Sequence, residues 1–131
     1  MPIRPIRVLV AKAPGRVRDG LCSLLCHQPQ IRLVEVVQDE QALLKCLAVE
    51  PWNSVVLLDA DICGPDLPGR LARLRLQAPH LRCILLVDTV EQQTRALAAG
   101  ASDALIKGFS VEEFLAAIER AEPEPAGEAR P

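Results

Sequence analysis

Short apolar runs and amphipathic stretches alternate five times along the chain. The runs cover residues 6–11, 31–37, 54–59, 82–87 and 104–107. Each is rich in Val, Ile, Leu or Ala, as expected of strands covered on both faces of a sheet. Only the second is broken, by Glu35, which predicts an edge strand with one wet face. Between the runs, apolar residues recur at spacings of three and four, the period of a helix with one buried stripe. The first such stretch presents Val17, Gly20, Leu21, Leu24 and Leu25, and the second Leu43, Leu44 and Leu47. The third starts near Asp66, with Leu67, Leu71 and Leu74 on one side and Arg70, Arg73 and Arg75 mostly on the other. The fourth spans about residues 91–99 and closes at Gly100, a helix C-cap signal. The fifth opens on Ser110-x-x-Glu113, a capping box, followed by Phe114, Leu115 and Ile118 beside Val111. This βα alternation predicts a parallel sheet with helices on both faces.

A length of 131 residues suits one domain, and an apolar fraction of 50% is enough for a conventional core. The domain is expected over residues 1–121. Residues 122–131, rich in Pro and charge, read as a disordered tail or the stump of a linker. A net charge of −2 gives no global attraction to nucleic acid or to an anionic membrane. The Arg side of the third helix, without aromatic partners, reads as a solvated face. No run approaches the roughly 18 apolar residues of a membrane span, and the apolar run at the start is too short for a signal peptide. The expectation is a soluble, cytoplasmic protein that binds neither nucleic acid nor membrane directly.

Five cysteines, an odd number with no C-x-x-C pair, argue against a secreted disulfide framework. Cys22 and Cys26 lie one helical turn apart, followed by His27. A zinc site wants four ligands, and the only other histidine, His80, has no cysteine beside it. The pair is therefore read as two small buried residues on the first helix.

Doubly wound sheets place their sites outside the carboxyl ends of the strands. Here those ends carry Lys12 and Ala13, Asp59, Asp88 and Thr89, and Lys107. Three stretches then carry a resemblance. VLVAKAPGRVRDGL (residues 8–21) is similar to the opening of a response-regulator receiver domain, where the strand is followed by two acidic residues. SVVLLDAD (54–61) resembles its third strand, and ALAAGASDALIKG (96–108) its fourth helix, Gly-Ala turn and fifth strand. SVEEFLAAIERA (110–121) resembles the fifth helix of receivers whose output is a helix-turn-helix. The resemblance covers about residues 6–121. It implies a flavodoxin-like (βα)5 fold, a doubly wound five-stranded parallel sheet of order 2-1-3-4-5. It places Asp59 at the phosphoacceptor position and Lys107 at the lysine that contacts the phosphoryl group. In that family, the acidic pair and the acceptor aspartate bind magnesium, which neutralises charge during phosphoryl transfer.

The departures matter as much as the match. Lys12 and Ala13 stand where the acidic pair belongs, leaving Asp59 against two lysines in a net positive pocket. Magnesium binding is expected to be lost, so no cofactor and no metal are assigned. The alternative is a rebuilt metal site using Asp61, Asp66 or Asp88, although the Asp61 side chain is expected to face elsewhere. At the switch positions, the fourth strand ends at Val87 in place of a hydroxyl residue, and Ala104 replaces the usual aromatic. Thr89 is the one candidate substitute, if its loop is bent. Gly108 takes the place of a common proline, so no cis bond is required after Lys107. Trp52, in the longer loop before the third strand, reads as cover over the core or as a partner contact.

These residues favour a pseudo-receiver that works through protein contacts in signal transduction, rather than an enzyme. Its expected partners are a histidine kinase, an output domain or another regulator. A homodimer is also expected, through a face containing Ala98, Ala101 and Ala117. One alternative is a working phosphorelay receiver, phosphorylated on Asp59 by a histidine kinase. Another is a flavodoxin-like enzyme or nucleotide binder, which would want a glycine-rich phosphate loop where the chain offers only Pro14-Gly15.

Overall fold

The computed structural model describes residues 5–49 and 54–121. Trp52 and the segment 122–131 lie outside the described residues. Five strands, β1 (Ile6–Ala11), β2 (Ile31–Val37), β3 (Val55–Asp59), β4 (Arg82–Val87) and β5 (Asp103–Ile106), form one sheet of order β2-β1-β3-β4-β5. All four pairings are parallel. The helices are α1 (Arg16–Cys26), α2 (Glu40–Leu47), α3 (Leu67–Gln77), α4 (Val90–Ala98) and α5 (Val111–Ala121). This is the flavodoxin-like (βα)5 arrangement expected from the sequence. β5 sits one residue earlier than expected, and Lys107 lies just beyond it, although its N–H still donates to the Val87 carbonyl at 2.8 Å.

Alternate residues of each strand face opposite layers. Val8, Val10, Val55, Leu57 and Ile84 pack with Leu21 and Leu25 of α1 and with Phe114 and Ile118 of α5. Leu9, Val56, Leu58 and Leu85 pack with Leu43 and Leu47 of α2, Leu71 and Leu74 of α3, and Ala96 of α4. β1, β3 and β4 are buried almost throughout because both their faces are covered. β2 lies at the sheet edge, with Arg32 and Glu35 exposed. The register slips between Val8 and Leu9, which pair with Leu33 and Glu35, so Val34 is an extra residue that kinks this edge.

Several helix ends follow local chemistry. In the capping box of α5, Ser110 Oγ accepts from the Glu113 N–H at 3.1 Å and Glu113 Oε1 from the Ser110 N–H at 2.8 Å. α4 ends in paired bonds from the Gly100 N–H to the Leu97 carbonyl and from the Ala101 N–H to the Ala96 carbonyl. Gly100 adopts φ 107, and a Cβ there would run into the Arg75 guanidinium, which donates to the Gly100 carbonyl. Two readings of helix faces are corrected. Val17 and Gly20, expected on the buried stripe of α1, are exposed, because the helix turns only Leu21 and Leu25 fully into the core. The arginines of α3 brace neighbouring elements instead of only facing water: Arg70 pairs with Glu40 of α2, and Arg75 reaches the α4–β5 turn.

Candidate functional site

Parallel strands bring their carboxyl ends to one edge of the sheet, and the charged residues converge there. The Lys12 N–H donates to the Val37 carbonyl at 3.0 Å, which sets where the β1–α1 loop leaves the sheet. Asp59 closes β3 with only 2% of its surface exposed. Lys12 Nζ donates to Asp59 Oδ2. The other oxygen, Oδ1, accepts from the Asp61 N–H at 2.9 Å and lies 3.1 Å from Lys107 Nζ. Both oxygens of the buried carboxylate are therefore committed. Burial pushes the Asp59 carboxyl up, but the Lys12 ammonium, the Asp61 N–H and Lys107 together hold it below the ordinary carboxylate range.

Lys107 does more than contact Asp59. Its ammonium lies 2.9 Å from Asp61 Oδ2 and 3.2 Å from Asp88 Oδ1. Burial works against its charge, yet Asp61, Asp59 and Asp88 raise its pKa well above the ordinary lysine value. The expectation that the Asp61 side chain faces elsewhere is thus wrong, because the short helical turn at Ala60–Ile62 folds it back over the crevice. The pocket holds three carboxylates against two ammonium groups, so it is net negative where a net positive pocket was expected.

The remaining residues fall outside this cluster. Ala13 is exposed and supplies no donor group. Asp66 caps α3, its Oδ1 accepting from the Gly69 N–H at 3.2 Å. Val87 and Ala104 are buried in the core. Thr89 caps α4, with Oγ1 accepting from the Gln92 N–H at 3.1 Å, so its hydroxyl is used in starting a helix. Ala117 is fully buried, so it cannot contribute to the association face drawn for it; the inner stripe of α5 packs it onto the sheet. Among the described residues there is no cluster of three or more His, Cys, Asp or Glu able to hold a metal ion, and no helix is long and apolar enough to cross a membrane. Arg18 was not singled out from sequence. Its guanidinium donates to the Lys12 carbonyl at 3.3 Å, tying α1 to the loop that carries Lys12.

No family model matches the chain. Individual proteins do. Response regulator MprA of Mycolicibacterium vanbaalenii is 34% identical over 116 residues, covering 86% of this chain and 48% of MprA. Response regulator GacA of Pseudomonas protegens is 32% identical, covering 86% and 54%. Full-length FixJ from B. japonicum superposes with a TM-score of 0.78 at 25% identity, covering 95% of this chain and 62% of FixJ. The chain carries a response-regulator receiver domain. It spans about half the length of the curated relatives it matches. The signal receiver domain of NarL from Mycobacterium tuberculosis, at a TM-score of 0.72 and 24% identity, covers 88% of this chain and has the same fold.

Proposed function

We propose that this receiver domain is a pseudo-receiver, passing a signal through protein contacts without magnesium-dependent phosphorylation of Asp59. The observation that carries the reading is the buried Lys12–Asp59 ion pair, with Lys107 on the second oxygen. Magnesium takes near-octahedral oxygen ligands at about 2.0–2.1 Å. The residues present do not suit it: one buried carboxylate has both oxygens occupied, an ammonium stands beside it, and the two outer acids face Lys107. Bringing a divalent cation up to Asp59 would set it against Lys12 at close range. Catalysis of phosphoryl transfer rests on positioning and on neutralising oxygen charge. Lys107 supplies one positive charge for that purpose, and Lys12 would have to release Asp59 before its carboxylate could attack.

The response-regulator relatives support a protein partner: a histidine kinase, an output domain or another regulator. A second copy of the domain is a further partner of this kind, with Ala98 exposed and Ala101 part-exposed on the α4–β5–α5 face. The test is incubation with acetyl phosphate and magnesium, read by intact-protein mass spectrometry, with Asp59→Asn as the control. The expected result is no phosphoryl adduct. Replacing Lys12 and Ala13 by aspartates should create magnesium binding. A stoichiometric, magnesium-dependent adduct on Asp59 of the unaltered chain would overturn the pseudo-receiver and establish a working phosphorelay receiver.

A further inference from the structure

The paired cysteines of α1 are not explained by the core. Cys22 is half-buried and Cys26 exposed, whereas the helix buries Leu21 and Leu25 instead. The expectation that both cysteines are small core residues therefore fails, because α1 turns its Leu positions to the sheet and leaves the Cys stripe at its margin. Cys63 and Cys83 provide the contrast. Both are buried among apolar side chains, and burial pushes their thiols up to about 11 and about 12, which leaves them inert.

Residues four apart on a helix have Cβ atoms about 5–6 Å apart, on one face. Two thiolates bound to one ion in a linear arrangement, with bonds of about 2.3 Å as in zinc–sulfur coordination, place their sulfurs within that reach. Part-burial raises the Cys22 thiol pKa, the Arg18 guanidinium one turn before it only partly offsets that, and the Cys26 thiol one turn after it lies close enough to add to the rise. A tetrahedral ion would need further ligands, and among the described residues no third metal-ligating group joins the pair. Soft monovalent ions differ, since thiolate ligands select Cu(I), and two sulfurs complete a linear site. His27 closes the helix, with its Nδ1–H donating to the Ser23 carbonyl at 2.7 Å, so that nitrogen is not a ligand.

We propose that Cys22 and Cys26 form a two-coordinate thiolate site on α1 for a soft monovalent metal ion of the Cu(I) class. Binding exchanges the two thiol protons for one ion, giving a bis-thiolate complex of charge −1 and two released protons. No oxidant or reductant is needed, and the affinity rises with pH.

The experiment is an anaerobic titration of the full chain with Cu(I) against bicinchoninate, a coloured Cu(I) chelator, together with native mass spectrometry. One Cu(I) per chain is expected. Cys22→Ser and Cys26→Ser should each abolish competition with the chelator, and Cys46→Ser should leave it intact. Circular dichroism of each variant separates loss of the site from loss of the fold, and Cys26→Ser, at an exposed position, keeps the test available if Cys22→Ser does not fold. Failure of the unaltered chain to compete, or full binding retained in Cys22→Ser/Cys26→Ser, overturns the site.

Discussion

The strand-end crevice and the β4–α4 segment beside it handle polar groups in opposite ways. In the crevice, the partners are distant in sequence: Lys12 and Asp59 are 47 positions apart, and Asp61 and Lys107 are 46. At the start of α4 the partners are neighbours. Gln92 Oε1 accepts from the Asp88 N–H, four positions away, and Thr89 Oγ1 accepts from the Gln92 N–H, three away. Assembly of the sheet creates the first set, while helix formation alone creates the second. The Thr89 hydroxyl is engaged locally, as the cap of α4. What joins the crevice to α4 is the ion pair from Lys107 to Asp88, the residue following β4.

The strongest challenge to this contrast is Lys12→Met. It removes one partner of a buried pair and leaves Asp59 with Lys107 and one backbone N–H. Breaking a buried ion pair from one side typically costs about 3–5 kcal/mol, and the surviving partners put the expected loss near the lower end, about 3 kcal/mol by urea unfolding. Adding Asp59→Asn should give a combined loss smaller than the sum of the single losses by about 1 kcal/mol or more, because the two groups act as a unit. pH gives an independent reading. The folded-state pKa of Asp59 lies below its unfolded value of about 3.9, so its contribution is present above that pH and is lost as pH falls through the folded value. Stability should therefore fall below about pH 4, with this component absent in Asp59→Asn. Simple additivity in the cycle would show that Lys12 and Asp59 are neighbours without being coupled.

Thr89→Ala probes the local side. Loss of an N-cap oxygen costs about 1 kcal/mol, so the midpoint of thermal unfolding should fall modestly. NMR signals at α4 should shift, while those of Asp59 and Lys12 stay in place. A shift confined to the crevice, with stability unchanged, would mean that the hydroxyl faces Asp59 and that the contrast is drawn in the wrong place.

The same division explains what could be read in the chain. Strand and helix identities were legible because period-two and period-3.6 patterns reflect burial, and the sheet covers β1, β3 and β4 on both faces. The meeting of Lys12, Asp59 and Lys107 was legible because parallel strands share one carboxyl edge. The rim was not. Asp61 had to be folded inward by a three-residue helical turn, whose geometry has no periodic signature. Asp88 was legible only as a spare acid at a strand end. Thr89 looked like a switch substitute, since a capping threonine and a sensing threonine are the same letter before a helix. The exposure of Val17 and Cys26 depended on α1 burying only Leu21 and Leu25, a narrower stripe than the apolar spacing suggests.

Asp88→Asn gives the smallest expected effect and asks how tightly the two regions are joined. Asp88 is 48% exposed, and Lys107 would still hold Asp59 and Asp61. Exposed ion pairs are worth about 0–1 kcal/mol, so a loss of a few tenths is expected in urea unfolding, shrinking further at high salt. The Lys107 pKa should move back toward the ordinary lysine value, because one of the carboxylates raising it is gone. A raised lysine pKa contributes stability that is present below the unfolded value of about 10.4 and is lost as pH rises through the folded value. The variant should therefore lose stability earlier than the unaltered chain on the alkaline side, with the acid side unchanged. A loss well above about 1 kcal/mol would exceed what an exposed pair supplies. It would mean that Lys107 and its three carboxylates act as one network, carrying the state of Asp59 directly to the start of α4.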